Sequence, residues 1–500
     1  MLLYRSMMKL SSLLIPALCF ASAAMAAEKP KAVILFYTDD LGYHDTSAYG
    51  CEKAPCPNLE TLASQGLTFT DAHSTHSVCT PSRFSLMTGK YAWRQKNTGI
   101  LPGDAKMIVP CKTEKMTLPA MMQAAGYKTA AIGKWHLGLG AGKEAIDWNK
   151  HISPNANDVG FDYTFIMAAT ADRVPCVYVR NGDVQGLDPN DPIKVSYRKA
   201  FPGEMTGEEH PELLKKWGIP SNKQHADTII DGISRIGHMQ GGTAALWKDQ
   251  DLADTLTDDA VRFIKDNAGT PIFMYFATND IHVPRDPHAR FRGKSGLGIR
   301  GDVTVQMDDC LGRLRAALAE NGYDDCLFIF SSDNGPVIAD GYEDGAKQDC
   351  EGHNPAAPYT GGKYTIKEGG TRMPFIVSWP GHVPAGQTSK ALFSQIDLGR
   401  TLAAIVGVDI PEGSMPDSQA LPAALLGQDL TGGRADLVEC GGGRLALRQG
   451  DWKYISGPKG GQLYNLAEDI EEKNNIAEQH PEKVAEMKAR LDAISADQEK

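Results

Sequence analysis

The sequence predicts an α/β fold: a large mixed, mainly parallel sheet sandwiched by helices, with a small C-terminal α+β subdomain. Three observations carry this prediction. Short apolar runs alternate with amphipathic helical patterns between residues 32 and 406. Several of those runs end in clusters of Asp, Asn, His and Lys, as they do when a site lies beyond the carboxyl edge of a sheet. After residue 427 the pattern changes to short strands, Gly-rich turns and one last helix. Strand–helix alternation favours a parallel sheet covered on both faces.

Taken in chain order, residues 32–37 are an unbroken apolar run, as a buried parallel strand requires. A helix over 59–64 stops at Gly66. Pro81 suits the first turn of a helix that continues through 84–87 to Thr88-Gly89. Thr117 caps a helix ending near Gly126, and 128–132 is the next strand. Residues 253–267 are helical and 271–277 a strand; 304–320 are a helix stopped by Asn321-Gly322, and 326–330 a strand. A strand over 374–379 and a helix over 396–406 follow. Residues 411–427 read as a linker over the surface. Short strands are expected over 445–448, 452–455 and 463–466, then a helix over 481–496. The division is a large domain over 27–425 and a subdomain over 426–500.

The first 26 residues read as an export signal. Arg5 and Lys9 supply charge, 13–24 is mostly apolar, and Ala24-Met25-Ala26 is a small-x-small cleavage site. That run, interrupted by Pro16, is too short to span a bilayer, and no later segment looks transmembrane. A periplasmic or secreted protein is expected. The net charge of −11 argues against nucleic acid as a partner, because binding a phosphate backbone needs a basic surface. Ten cysteines less Cys19 leave nine, an odd number that leaves at least one thiol unpaired or specialised. Cys51 with Cys56 and Cys310 with Cys326 are candidate bridges.

Four strands end in chemistry-bearing residues: Asp39-Asp40, Lys134-Trp135-His136, Asn279 to His282, and Asp333-Asn334. Asp39, Asp40, Asp333 and Asn334 offer only oxygen ligands, which suits a hard cation such as Ca²⁺ or Mg²⁺. Singly, each is better read as a helix cap or turn former. Together at matching strand ends, they favour one shared site. Cys79 precedes Pro81 and so lies at a helix N-terminus, where free N–H groups and the dipole favour an anion. Arg83 adds positive charge one turn on. A buried structural cysteine is the alternative.

Cys79-Thr-Pro-Ser-Arg83 followed by Thr88-Gly89 resembles the signature of type I sulfatases, within the alkaline phosphatase superfamily. Other segments match in order: Asp39-Asp-Leu-Gly42, Gly133-Lys-Trp-His-Leu-Gly138, His282-Val-Pro284, Ser332-Asp-Asn-Gly335, and Gly362-Lys363 leading to Glu368-Gly-Gly-Thr-Arg-Met-Pro374. The resemblance covers nearly the whole mature chain and implies an alkaline phosphatase-like fold. It implies that a maturation enzyme oxidises Cys79 to formylglycine (3-oxoalanine), whose hydrate is the nucleophile. It implies one Ca²⁺, in preference to Mg²⁺, on Asp39, Asp40, Asp333, Asn334 and residue 79. Arg83 would stabilise the hydrate, Lys134 and Lys363 grip the sulfate, His282 protonate the leaving group and His136 act as base. The region from Gly160 through Pro175 to Tyr197, with 234–238 and Trp247-Lys248, resembles bacterial sulfatases acting on carbohydrates. The expected substrate is a galactose- or N-acetylgalactosamine-type sulfate ester of mucin or a glycosaminoglycan, met by Asp172, Arg173, His225 and His353. The competing expectations are a phosphodiesterase or phosphonate ester hydrolase of the same superfamily, and a sulfated-glycan binding protein without turnover.

Overall fold

The computed structural model describes residues 29–142 and 144–496; the expected export signal lies outside them. Ten strands form the main sheet: β1 (Ala32–Thr38), β2 (Leu67–Phe69), β3 (Lys128–Lys134), β4 (Tyr163–Met167), β5 (Tyr178–Arg180), β6 (Asp183–Val184), β7 (Ile272–Ala277), β8 (Cys326–Ser332), β9 (Phe375–Ser378) and β10 (Gln387–Ser389). Their order is β10-β2-β9-β8-β1-β7-β3-β4-β5-β6. The central run β8-β1-β7-β3-β4 is parallel throughout, so its five strands end on one edge. β9 pairs antiparallel to β8, and β5 antiparallel to β4, making the sheet mixed. Every residue of β1, Ala-Val-Ile-Leu-Phe-Tyr-Thr, is buried. An apolar run without alternation is what a central strand covered on both faces needs.

Helices α1 (Pro57–Ser64), α4 (Leu252–Asp266) and α5 (Gly298–Glu320) pack together, as do α2 (Cys79–Thr88), α3 (Leu118–Ala124) and α6 (Leu398–Val406). β3 touches both α3 and α4, one from each group. Thr117 caps α3 through its side chain, accepting from the Ala120 N–H at 3.3 Å. The helix expected over 304–320 begins earlier, at Gly298. Its first turns escape an apolar pattern because Arg300 and Asp302 are buried there on polar partners: Arg300 on Asp45, Asp302 on the Gly293 and Ser295 amides.

The C-terminal sheet is an antiparallel meander of β11 (Leu437–Gly441), β12 (Arg444–Gln449), β13 (Trp452–Ile455) and β14 (Gln462–Asn465). Helix α7 (Pro481–Ala496) covers it with Met487 and Leu491. β11 is an additional strand; its Glu439 and Cys440 interrupt the apolar run that would announce it. β11 also holds the segment entering α2: Ser77 N–H donates to the Cys440 carbonyl at 3.0 Å, and Cys440 N–H to that of Thr75 at 2.9 Å.

Two expectations are corrected. Residues 411–427 are no surface linker: Ser414, Met415, Asp417, Ser418, Ala424 and Leu425 are buried, and Asp417 accepts from the Tyr91 N–H and from Arg94. Turn-forming composition disguised these contacts. All nine cysteines of the described residues are free, so neither proposed bridge forms. Cys56 turns its thiol to the Ala54 carbonyl, and Cys310 packs towards the Ala253 carbonyl of α4.

A buried charge network joins the sheets. Glu368 accepts from Lys453 at 2.8 Å, Arg448 at 2.7 Å and Arg372 at 3.2 Å. His73 lies between Asp71 and Glu439, 2.8 Å from each. Burial disfavours its charge, but these carboxylates outweigh burial and raise its pKa. Lys453 also faces Glu439 and Glu472. Lys453→Met should cost about 3–5 kcal/mol, the penalty for stranding one partner of a buried pair. Calorimetry should then show an unfolding midpoint several degrees lower; an unchanged midpoint would mean that this lysine is not needed to hold the sheets together.

Candidate active site

Strand register assembles the site. Thr38 pairs with Ser332, Tyr37 with Ala277, and Ala277 with Gly133. Asp39-Asp40, Lys134 to His136, Asn279 to His282 and Asp333-Asn334 therefore leave one edge side by side. Gly133 is required there: a Cβ would lie 1.9 Å from the Ala277 carbonyl oxygen, and its φ is +105°. Asp40 and His136 hold φ of 59° and 55°. Left-handed backbone in non-glycine residues costs of order 1–3 kcal/mol and collects where surrounding structure fixes a functional group.

Asp39, Asp40, Asp333 and Asn334 are all fully buried. Lys134 Nζ meets Asp39 Oδ2 at 2.5 Å and lies 3.7 Å from Asp333 Oδ2. Lys363 Nζ donates to Asp40 Oδ2 at 2.9 Å, and Asn334 Nδ2 donates to Asp40 Oδ1 at 2.6 Å. Burial pushes the Asp39 carboxyl well above the usual range; Lys134 opposes the rise, while Asp333 and Asp40 add to it. Burial would raise Asp40 too, but Lys363 and Lys134 outweigh it and hold Asp40 low. Two acceptor oxygens, Asp39 Oδ1 and Asn334 Oδ1, are buried with no hydrogen-bond partner. Buried acceptors are nearly always satisfied, so the pair fits a bound cation. Asp39, Asp40 and His282 also bring ligand atoms within 4.8 Å of one another.

Cys79 is the first residue of α2 and is buried. Its Sγ lies 3.3 Å from His136 Nδ1, and His136 Nε2 lies 2.9 Å from the Leu101 carbonyl. A carbonyl only accepts, so Nε2 carries the proton and Nδ1 presents a lone pair to residue 79. Burial, then Lys134 and Arg173, hold the His136 pKa well below the usual value, so the ring is neutral. Arg83 lies one turn along α2. It donates through Nε to Asp333 at 2.8 Å and through a terminal nitrogen to the Lys134 carbonyl at 3.2 Å and Tyr275 at 2.7 Å.

Cys79, Lys363, His282, Asp172, Arg173 and His225 line one cavity of about 80 Å³. Arg173 donates to both Asp172 oxygens at 2.7 Å, and His225 Nε2 is 3.5 Å from Asp172 Oδ2. His282 donates through Nδ1 to the Val283 carbonyl at 2.6 Å, which leaves Nε2 3.8 Å from Asp40. His353, expected among the substrate-binding residues, does not line this cavity. Its Nε2 faces Asp45 at 3.3 Å and its ring stacks on His44, so the Asp45–Arg300 pair claims it. Asp340 and Tyr364 also line the cavity and were missed. Asp340 meets Lys363 Nζ at 2.9 Å; its only sequence signal is a Gly beside it, as in any turn. A larger cavity of about 580 Å³ lies by Phe84, Thr88 and Met415 and contains none of these groups.

Five carboxylates, Asp39, Asp40, Asp333, Asp340 and Asp172, face four fixed cations, Arg83, Lys134, Lys363 and Arg173. A dication would turn a deficit of one charge into a surplus of one. That surplus matches a singly charged ester.

A sequence model of the sulfatase family matches residues 31–408. An N-acetylgalactosamine-6-O-sulfatase of Bacteroides thetaiotaomicron is 47% identical over 485 residues, covering 94% of this chain and 93% of its own. Human N-acetylgalactosamine-6-sulfatase is 30% identical over 416 residues, covering 81% of this chain and 68% of its own. A solved Bacteroides thetaiotaomicron structure, from work on the metabolism of multiple glycosaminoglycans, superposes with a TM-score of 0.89 at 48% identity, covering 93% of this chain and 99% of that one.

Proposed function

This chain belongs to the sulfatase family and is a sulfuric ester hydrolase; from that premise we propose that it removes sulfate from galactose- or N-acetylgalactosamine-type residues of mucin or a glycosaminoglycan. The relative that is 47% identical, an N-acetylgalactosamine-6-O-sulfatase, supports the 6-sulfate as the ester. We assign the nucleophile to residue 79 after a maturation enzyme oxidises it to formylglycine. The observation that carries this reading is Cys79 Sγ 3.3 Å from the lone pair of His136 Nδ1, in a cavity shared with Lys363 and His282.

Burial raises the Cys79 thiol above its usual pKa, against Lys134 and Lys363. The unmodified side chain is a neutral thiol, which is a weak nucleophile. Formylglycine, once hydrated, supplies hydroxyl groups there instead. Asp39, Asp40, Asp333, Asn334 and residue 79 would hold one Ca²⁺, which when bound supplies Lewis acidity toward sulfate and acidifies a hydroxyl on residue 79. Lys134 and Lys363 are placed to hold sulfate oxygens as negative charge builds on them. His136 Nδ1 takes a proton from residue 79. His282 Nε2 faces the leaving oxygen. Burial and Lys363 hold its pKa well below the usual value, so its protonated form is a strong acid, and an entering anion favours that form. Asp172, Arg173 and His225 orient sugar hydroxyls. We place the protein in the periplasm or outside the cell, on its first 26 residues; no helix of the described residues is long and apolar enough to cross a membrane.

A panel of defined esters tests the assignment. N-acetylgalactosamine 6-sulfate should turn over at least about 100-fold faster than the matching phosphate monoester, whose second negative charge adds repulsion from the carboxylates around the cavity. A phosphodiester or phosphonate ester carries a single charge and is the sharper control. Faster turnover of either would overturn the sulfatase reading.

A further inference from the structure

Ile100 and Tyr364 are each 42% exposed, two of the few large apolar side chains left open among the described residues. Both line the cavity that holds Cys79 and Lys363. Scattered surface hydrophobes need no explanation, but two at the mouth of one polar cavity do. Each is anchored by segments that carry the chemistry. Tyr364 follows Lys363 directly. Its N–H donates to the Ser77 carbonyl at 3.0 Å, two residues before Cys79. Its hydroxyl donates to Asp340 at 3.1 Å, and Lys363 Nζ sits 5.3 Å from its ring centroid. Its backbone is held at φ 72°, in the left-handed region that a tyrosine adopts only under constraint. Ile100 precedes Leu101, whose N–H meets Thr80 Oγ1 at 3.4 Å and whose carbonyl accepts from His136.

We propose that Tyr364 and Ile100 form an apolar rim that receives the C–H face of the pyranose ring bearing the sulfate. The floor of the cavity binds the anion through charge. Charge alone does not separate a sugar sulfate from a small alkyl sulfate, which carries the same single charge. A pre-oriented aromatic face and a branched aliphatic side chain do, because a pyranose presents an apolar face to them. The inference rests on the sugar-sulfate reading above.

Binding in the catalytically silent Cys79→Ala protein, loaded with Ca²⁺, reads the rim directly. N-acetylgalactosamine 6-sulfate and inorganic sulfate are titrated by calorimetry into this protein and into versions also carrying Tyr364→Ala, Ile100→Ala or Tyr364→Phe. Each alanine variant should raise the Kd for the sugar sulfate about 5-fold or more, and leave that for inorganic sulfate within about 2-fold. Tyr364→Phe, which keeps the ring and loses the Asp340 contact, should stay near the parent for both. Ile100→Ala removes an exposed side chain and spares the fold if Tyr364→Ala does not. Unchanged sugar affinity, parallel loss of sugar and sulfate, or Phe behaving like Ala would each overturn the rim. Turnover of the sugar sulfate by the unmutated enzyme reports separately on the sugar-sulfatase reading.

Discussion

Cys79→Ala is expected to lower sulfate-ester turnover by about 10⁴-fold or more while moving the unfolding midpoint by no more than a few degrees. The loss is large because no neighbouring group substitutes for the proposed nucleophile: Thr80 turns its hydroxyl to the His136 carbonyl, and Ser82 pairs with Tyr37. Removing one member of a nucleophile–base pair costs about as much as removing both, since the remainder cannot start the reaction. The structural cost is small. Cys79 contributes one sulfur atom against His136, and the α2 backbone bond from Ser82 N–H to the Val78 carbonyl, 3.2 Å, stays in place. Retained activity would remove residue 79 from the chemistry.

Stripping divalent cations is the second large effect. Chelation should reduce activity about 100-fold or more, and added Ca²⁺ should restore it. The unfolding midpoint should fall by several degrees, because a ligand held only by the folded state stabilises it by roughly 3 kcal/mol at about 100 times its Kd. Without the cation, Asp39 Oδ1 and Asn334 Oδ1 lie buried and unpaired, while Asp39, Asp40 and Asp333 repel. Full activity in metal-free buffer would reject the cluster as a metal centre.

What the sequence made legible was set by locality. β1 is continuously apolar and ends abruptly in two aspartates, so strand, edge and candidate ligands are read from one stretch. Cys79 is similarly local: Pro81 and Gly89 bound its helix, and Arg83 sits one turn away. The parts that escaped depend on distant partners. Asp340 matters through Lys363 and Tyr364, more than twenty residues on. His353 looked available until Asp45, 308 positions away, claimed it. The segment 411–427 read as a linker because its turn formers hide Met415 and Asp417, which pack against Gly89 and Tyr91 just after α2. The start of α5 was masked by Arg300, whose burial depends on an ion pair with Asp45.

Mass spectrometry of the peptide spanning Thr75 to Arg83, taken from enzyme that turns over a sugar sulfate, most directly probes how this site works. An aldehyde or its hydrate at position 79 is the expected finding, in a proportion that rises with specific activity. Active protein carrying only the unmodified thiol there would contradict it.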